Sequence, residues 1–378
     1  MSVLSIEHYN QQEESARIRH PNRIVEAFSP VIFEKLSYPH RIRQEEELWK
    51  FLDVMHENEY LSNRDRSAKL LTAREFELFK KVALLIQGYA EKELGKKAIP
   101  WNTLIGTMEL FRYAQILLSK VPKSRILEIG PGCGYMGLLL MLFGHPYVGT
   151  DISQAFYLFQ NRMFKHFFAD SFQDLAQSNL SLSDAISATQ GPLRMHLPWW
   201  KYVEMWPEKI PEFDVVVADR MLCEMHPNSL VFLLKTAQMF FRGEGELKGI
   251  LFRGWGYSGE VPVLRIVETF YKCGYVAAIL HSNLTFFIPE GCREQGHFYL
   301  EYPQVVELFK GNGVLPIERM EGSIFHHFLQ GNQAVNSEIS VSLQDITDFV
   351  AQQLGGQENI QSKDSQFLDY VLHGGCVY

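Results

Sequence analysis

The sequence predicts an α/β protein with a mostly parallel, seven-stranded sheet, helices on both faces of the sheet, and a helical region in front of it. Apolar residues recur every three or four positions through much of residues 1–121, which is the periodicity of amphipathic helices. From Ser124 onward, short apolar runs alternate with helical segments, as in sheets built from β-α-β units. We divide the 378 residues into an N-terminal helical lid or interface domain (1–121), a ligand-binding domain (122–335) and a C-terminal helix and tail (336–378).

The N-terminal region is expected to contain three helices, at residues 42–52, 68–94 and 101–118. Thr72 stands three residues before Glu75, a spacing that caps a helix start because each side chain can bond the backbone N–H of the other residue. Gly95 follows the second helix as a stop signal. Such a helical layer is a candidate lid, substrate wall or homodimer interface, and plain support of the core is the alternative.

Seven strands are predicted next, at residues 125–129, 147–151, 193–197, 213–218, 249–252 and 275–280, with a last antiparallel strand within 314–328. Helices are predicted between them, at residues 135–143, 153–168, 228–241 and 262–273. Residues 170–190, rich in Ser, Gln, Asp and Ala, are predicted to be a loop or insertion. The Gln- and Gly-rich residues 353–365 are expected to be a flexible link to a short tail.

A glycine-rich segment directly follows the first of these strands. From Glu128 to Gly134 it has the form E-x-G-x-G-x-G, and a helix-like apolar run comes next. Glycine allows positive φ and a close approach of the backbone to a ligand, while the helix start offers unpaired N–H groups. Asp151 ends the next strand 21 positions after Gly130 (151 − 130), which suits a carboxylate that binds ribose hydroxyls. The segment therefore predicts a site for a nucleotide-like ligand.

Two ligand classes fit this loop. Residues 132–137 formally satisfy the dinucleotide pattern G-x-G-x-x-G. In that pattern, however, the first glycine follows the strand directly, and the glycine that does so here is Gly130. When the pattern is counted from Gly130, its third glycine position is occupied by Tyr135. Glu128 also stands where a buried parallel strand is normally apolar, so its carboxylate needs a hydrogen-bonding partner.

Taken whole, E-x-G-x-G-x-G with an acid at the end of the second strand resembles motif I of the class I S-adenosylmethionine (SAM)-dependent methyltransferases, which have a Rossmann-like fold. The resemblance covers roughly residues 122–255. It implies that SAM is the cofactor, that the glycine loop wraps its methionine portion and that Asp151 binds the ribose. The cofactor-binding residues are then expected at Glu128, Gly130, Pro131, Gly132, Tyr135, Asp151, Ile152 and Asp219. Trp199 or Trp200 is a candidate to cover the adenine, with a core position as the alternative.

The loop after the fourth strand is the best candidate for catalysis. It contains Glu224 and His226, and a hydroxyl acceptor needs a base to take its proton during methyl transfer. The alternative is that Glu224 caps the helix near Asn228 and His226 is a surface turn residue. After the fifth strand, Trp255 and Tyr257 are candidate substrate-binding residues that could stack on a ring or sugar face, unless they pack over the sheet edge.

The acceptor is expected to be a small molecule. Residues 151–160 and 222–225 resemble the corresponding segments of bacterial sugar O-methyltransferases, which favours a sugar or natural-product hydroxyl and leaves an amine open. Three functions stay open: a SAM-dependent methyltransferase, an NAD-type oxidoreductase, and a catalytically silent methyltransferase-like binding subunit. Glu128 and Tyr135 disfavour the NAD-type oxidoreductase.

Composition excludes several other classes. The formal charge is −8 and no basic stripe occurs, so we expect no nucleic-acid partner. No apolar run is long enough to cross a bilayer, so no membrane association is expected. Five cysteines without C-x-x-C spacing indicate free thiols in a reducing cytoplasm and no metal site. Four late polar residues have no motif around them and are expected to be structural, namely His281, Asn283, His326 and His327.

Overall fold

The computed structural model of the protein describes residues 3–29, 40–53, 65–121, 123–205, 210–241, 247–253, 263–281, 284–294, 297–310 and 321–355. The strands in these ranges are β1 Lys69–Thr72, β2 Ile126–Ile129, β3 Tyr147–Asp151, β4 Gln173–Asp174, β5 Arg194–Pro198, β6 Val215–Asp219, β7 Gly249–Arg253, β8 Tyr275–His281, β9 Leu284–Pro289 and β10 Ile339–Ser342. The helices are α1 Ile6–Arg19, α2 Asn22–Ala27, α3 Ala73–Leu94, α4 Trp101–Leu118, α5 Tyr135–Leu142, α6 Gln154–Phe168, α7 Leu182–Ala188, α8 Trp199–Glu204, α9 Pro227–Phe240, α10 Val263–Lys272, α11 Tyr302–Phe309, α12 Ile324–Glu338 and α13 Leu343–Gln353.

The central sheet has eight strands in the order β4-β5-β3-β2-β6-β7-β9-β8. The six strands from β4 across to β7 are parallel, whereas β9 is antiparallel to both of its neighbours. The chain enters the sheet at β2, continues to β3 on one side, and later returns to β6 on the other side. Strand order therefore reverses at β2, and ligands of such sheets bind beyond the carboxyl ends of the strands at this point. The predicted Rossmann-like α/β class is confirmed.

One edge of the sheet differs from the prediction. The antiparallel strand is Leu284–Pro289, which is buried at all six positions and so lacks the polar alternation that marks a strand in sequence. The strand predicted within residues 314–328 is wrong where the structure describes it, because Ile324 begins α12. There the Ser323 hydroxyl accepts a capping hydrogen bond from His326 N–H (3.2 Å). Residues 311–320 lie outside the described ranges. At the other edge, β4 adds the eighth strand.

Of the three predicted N-terminal helices, the one at residues 101–118 is α4 with the predicted bounds, whereas α1 and α2 were not predicted. Glu75 N–H donates to the Thr72 hydroxyl (3.1 Å) and Thr72 N–H to the Glu75 carboxylate (2.8 Å), which confirms the capping box. Helix α3 begins at Ala73 because the preceding β1 pairs with β10 as an antiparallel strand. The helix predicted at residues 42–52 is a 3-10 helix, Glu45–Phe51. The predicted loop at residues 170–190 contains β4 and α7.

Helix α4 joins the N-terminal region to the rest of the molecule. It packs against α5 on the sheet and against α12 near the C-terminal end of the described chain, with Leu110, Phe111 and Leu117 among its buried side chains. The N- and C-terminal segments thus share one hydrophobic core with the sheet. The three-part domain division stays a prediction. Within the described residues, every helix is too short or too polar to cross a membrane.

Candidate functional site

The glycine-rich loop connects β2 to α5. Gly130, Gly132 and Gly134 all have left-handed backbone conformations, with φ of 64°, 56° and 75°. Pro131 accepts a turn hydrogen bond from Gly134 N–H (2.8 Å). A Cβ at Gly130 would lie 3.0 Å from Met221 Cγ, so the loop after β6 closes over this glycine. A Cβ at Gly132 would meet no atom within 4 Å, so this position faces open space. The loop has the backbone form of a ligand cradle.

Asp151 is buried at the carboxyl end of β3 and is tied to the glycine loop. Its Oδ1 accepts from Ser153 N–H (2.9 Å), and its Oδ2 accepts from Gln160 Nε2 (2.9 Å), which also donates to the Gly132 carbonyl (2.6 Å). Burial raises the pKa of Asp151 to about 6, although the hydrogen bonds it accepts oppose that rise. Ile152, beside it, is half-buried. The acid and the loop therefore form one preorganised unit.

Glu128 lies beneath this unit. Its carboxylate accepts from the Tyr147 hydroxyl (2.6 Å), which supplies the partner that the sequence required. Burial raises the pKa of Glu128 to about 8, and the Tyr147 hydrogen bond opposes the rise only in part. Gly137 and Gly149 make room for the phenol: a Cβ at Gly149 would lie 2.6 Å from its oxygen, and one at Gly137 would clash with it. Glu128 thus supports the loop from inside the helix–sheet interface.

Tyr135 holds an N-terminal segment over the loop. Its ring is buried, and its hydroxyl donates to the Leu52 carbonyl. The same segment, residues 40–53, accepts a hydrogen bond from Ala155 N–H at the start of α6 through the His40 carbonyl (3.0 Å). The hydroxyl of Tyr135 is therefore engaged by the protein, and the contribution of this residue to the site is to fix a cover over it.

Helix α1 covers the neighbouring part of the strand ends. Asn10 Oδ1 accepts from Gln154 Nε2 (2.6 Å), and the buried Glu13 accepts from the indole N–H of Trp199 (3.0 Å). Trp199 and Trp200 are buried and pack edge-to-face, with ring centroids 5.9 Å apart. They occupy the core position that was the alternative to an adenine contact.

Asp219, at the end of β6, forms a bidentate ion pair. Its two oxygens accept from Arg253 Nε (2.9 Å) and Nη2 (2.8 Å). Burial alone would raise the pKa of Asp219, but the Arg253 guanidinium more than offsets this and holds it below the usual value. Arg253 is fully buried and also donates to the Gly106 carbonyl (2.7 Å) and to Glu109 Oε2 (3.0 Å). Asp219 therefore braces the site rather than presenting a free carboxylate to it.

The two candidate bases have different environments. Burial and, to a smaller extent, the negative charge of Asp151 together raise the pKa of Glu224 to about 7. Glu224 therefore lies in the electrostatic field of Asp151. His226 is the N-cap of α9: its Nδ1 accepts from Asn228 N–H (3.1 Å), so the lone pair on that nitrogen is already used. The helix cap is thus His226, whereas the sequence had suggested Glu224 as the alternative cap.

A second polar cluster lies where β7 and β8 end. The Tyr113 hydroxyl donates to Glu109 Oε1 (3.3 Å), and the Tyr113 ring lies 6.5 Å from that of His281. His281 Nε2 is 3.0 Å from Asn332 Nδ2, and burial lowers the pKa of His281 against the opposing effect of Glu109. His281 is therefore part of a connected group at the site edge.

Sequence reasoning missed Gln160 and Glu109. Gln160 is fully buried on α6, where it and the buried Asn161 follow the apolar run 155–159, and two amides directly after such a run are the signal that points to it. Glu109 is on α4, far from the strand ends in sequence, and no local pattern indicates it. The predicted substrate residues Trp255 and Tyr257, and also Asn283, lie outside the described residues. The part of the chain that is described contains no group of three or more potential metal ligands.

No protein-family model and no curated protein matches the sequence. Several solved structures resemble it remotely. A TehB-like SAM-dependent methyltransferase from Corynebacterium glutamicum is 14% identical over 47% of this chain and 86% of its own, with a TM-score of 0.31. Magnesium protoporphyrin IX methyltransferase (ChlM) from Synechocystis PCC 6803 with bound SAM is 10% identical over 55% of this chain and 94% of its own, with a TM-score of 0.32.

A third structure, MtNAS in complex with MTA and tNA, is 16% identical over 75% of this chain and 95% of its own, with a TM-score of 0.32. At such TM-scores the likeness carries no argument about activity. The Rossmann-like assignment rests on the strand order of this chain.

Proposed function

We propose that the protein is a SAM-dependent methyltransferase that acts on a small-molecule acceptor. A sugar or natural-product hydroxyl is the favoured acceptor group, and an amine is the alternative. The observation that carries this proposal is the unit formed by Asp151, Gln160 and the glycine loop. A buried carboxylate at the tip of β3 is positioned to accept hydrogen bonds from a ribose diol, and Gln160 fixes its distance from Gly132. The open space at Gly132 supports a ligand that passes close to the backbone.

The residues present fit such a cofactor. Asp151 would hold the ribose, and Ile152 would contact the adenine ring. Gly130, Pro131 and Gly132 would border the methionine portion. Bound SAM supplies a methyl group on a sulfonium, which the acceptor takes in an in-line displacement. The protein contributes mainly by positioning the acceptor and by excluding water, and the cover formed by α1 and residues 40–53 serves the second purpose.

We assign the role of general base to Glu224. A base whose pKa lies near the working pH is partly ionised there and still accepts a proton readily. The pKa of Glu224, raised to about 7 by burial and by Asp151, meets that condition. Glu224 therefore takes the proton of the acceptor hydroxyl as the methyl group is transferred. His226 is a positioning residue in this proposal, because as N-cap it fixes the start of α9 next to the base.

The cluster of Glu109, Tyr113, Arg253 and His281 forms the acceptor side. Arg253 is shared by two carboxylates, those of Asp219 and Glu109, so the local charge is negative. The polar side chains of Glu109, Tyr113 and His281 beside Arg253 suit the hydroxyls or the amine of a small polar molecule. Trp255 and Tyr257 remain proposed substrate residues.

Calorimetry with SAM, S-adenosylhomocysteine (SAH) and NAD tests the proposal. The wild-type protein is expected to bind SAM and SAH, and Asp151→Ala is expected to lose about ten- to a hundredfold in affinity, the range for a buried hydrogen bond to a charged group. Binding of NAD alone would overturn the proposal in favour of the oxidoreductase. Binding of SAM without turnover across a panel of hydroxyl and amine acceptors would instead identify a catalytically silent subunit.

A further inference from the structure

We infer that Tyr9, on helix α1, is a further binding residue of the cofactor site and donates its hydroxyl to a ribose hydroxyl that Asp151 also binds. The inference rests on the proposed function and extends it to a segment that the glycine-loop motif does not include. It also states which part of the ligand is recognised, namely the diol of an adenosyl group.

Helix α1 is fixed in place over the strand ends by polar contacts. The Asn10–Gln154 hydrogen bond joins it to the first residue of α6, three positions after Asp151. One turn further along, buried Glu13 joins it to Trp199, the residue that follows β5. Arg17 also donates to Glu13 (3.2 Å). The helix is therefore held over the ends of β3 and β5, and Tyr9 lies on its inner side.

The ring of Tyr9 is locked between two other aromatic side chains. Its centroid is 5.2 Å from that of Tyr157 and 5.2 Å from that of Trp200. Burial raises the pKa of Tyr9 well above its usual value, and the carboxylates of Glu13 and Asp151 raise it further. The phenol therefore stays protonated and remains a hydrogen-bond donor near Asp151 at any ordinary pH.

The hydroxyl of Tyr9 has no hydrogen-bond partner among the residues that the structure describes. Two other buried tyrosines near the site have partners: Tyr147 donates to Glu128 (2.6 Å) and Tyr157 to Asp174 (2.7 Å). A buried polar group without a partner is costly, and a bound ligand beside it can supply the missing hydrogen bond. A ribose hydroxyl can donate to the Asp151 carboxylate and at the same time accept from Tyr9, so the pair is complementary to a diol.

The test uses the full chain and SAH as the probe. Tyr9→Phe removes one oxygen and keeps the ring contacts, so the variant should fold with wild-type or slightly higher thermal stability. Its affinity for SAH, measured by calorimetry, is expected to fall about three- to tenfold, the value of one hydrogen bond. The loss should be absent with the 2′-deoxy or the 3′-deoxy analogue of SAH, whichever lacks the hydroxyl that Tyr9 contacts.

Tyr89 provides a matched control. It is equally buried, its hydroxyl is likewise without a partner in the described part of the chain, and its ring packs on Phe159 (6.0 Å) and His166 (5.3 Å) of α6. Tyr89→Phe should leave SAH affinity unchanged. Wild-type affinity in Tyr9→Phe, an equal loss in both variants, or the same loss with both deoxy analogues would each overturn the inference. Absence of SAH binding by the wild type would instead overturn the proposed function.

Discussion

Glu224 illustrates how one residue acquires a function from its surroundings. Burial and the charge of Asp151 raise the pKa of its carboxyl to about 7, so the ionised form, which acts as the base, predominates only above that pH. Glu224→Gln should lower turnover by about 10²–10⁴-fold, the usual contribution of a general base, and leave SAM affinity within about twofold. The turnover rate of the wild type should decrease below about pH 7, and this decrease should be absent in the variant.

His226 is the control for this prediction. His226→Ala removes the cap of α9, so the free energy of unfolding should fall by about 1 kcal/mol while turnover stays within a few-fold of wild type. Denaturant titration and steady-state rates separate the two effects. A slow His226→Ala combined with a normal Glu224→Gln would reverse the assignment and make His226 the base.

Glu128 connects the site to folding stability through pH. Its pKa is about 8 in the folded protein, against an ordinary value of 4.5 in an unfolded chain. Between these values the folded state holds a proton that the unfolded state has released, so stability falls as pH rises from about 4.5 to 8. Glu128→Gln mimics the protonated form and should remove this part of the decline, at most about 1.4 kcal/mol per pH unit. Urea denaturation without ligand from pH 5 to 8 measures it, and identical curves for the two proteins would contradict it.

Local patterns located some of these residues and not others. Glu128, the glycines and Asp151 lie within 24 consecutive positions (128 to 151), which hold one strand, the loop, one short helix and the next strand, so spacing alone could suggest them. Tyr9, Gln160 and Glu109 reach the same edge of the sheet from three separate helices. Their positions depend on how those helices pack, which no local sequence period encodes.

At the level of elements, a comparison of Gly132 in the glycine loop with Gly144 distinguishes the effect of backbone strain from that of ligand contact. Gly132 and Gly144 both have positive φ, 56° and 82°, and a Cβ at either would meet no atom within 4 Å. Alanine at either position should therefore destabilise the fold by a similar amount, about 1 kcal/mol, through strain. Only Gly132→Ala should also weaken SAH binding, because Gly144 lies beyond the far end of α5. Thermal unfolding and calorimetry on both variants test this, and equal affinities would show that Gly132 does not border the ligand.

Elements with a clear period were predictable, and those without one were not. Helices α3, α4, α6 and α9 and the strands β2, β3, β5, β6, β7 and β8 lie within a few residues of their predicted bounds. Strand β9 is buried at every position and so lacks an alternating pattern, and β4 has only two residues. The first residues of the predicted helix at 68–94 form β1 because a distant partner, β10, hydrogen-bonds to them. Tertiary pairing of this kind overrides the local preference for helix.

At the scale of the whole molecule, the first 121 residues contribute two layers to the site. The outer layer is the cover, formed by α1 and residues 40–53, which contact α6, α8 and the first residue of α5. The inner layer is formed by β1, α3 and α4, which pair with β10, pack on α5 and α12, and hold Arg253 through Gly106 and Glu109. Both layers therefore complete the hydrophobic core, the outer one with Tyr9 and Phe51 among its buried side chains, and the outer one also covers the proposed ligand site.

Two truncations distinguish these layers. A chain that begins at Asp65 lacks the outer layer, which leaves Phe156 and Trp199 without their contacts to Phe51 and Glu13, so it should fold with lower thermal stability and bind SAH at least tenfold more weakly than the full chain. A chain that begins at Lys123 also lacks α4, whose buried Leu110, Phe111 and Leu117 would leave apolar surface exposed on their partners, and it should aggregate. Light scattering after size-exclusion chromatography, together with calorimetry, measures both outcomes and reports whether the full chain is a dimer. A soluble, monomeric and fully active chain from Lys123 would contradict the role of the inner layer, and wild-type affinity in the chain from Asp65 would contradict that of the cover.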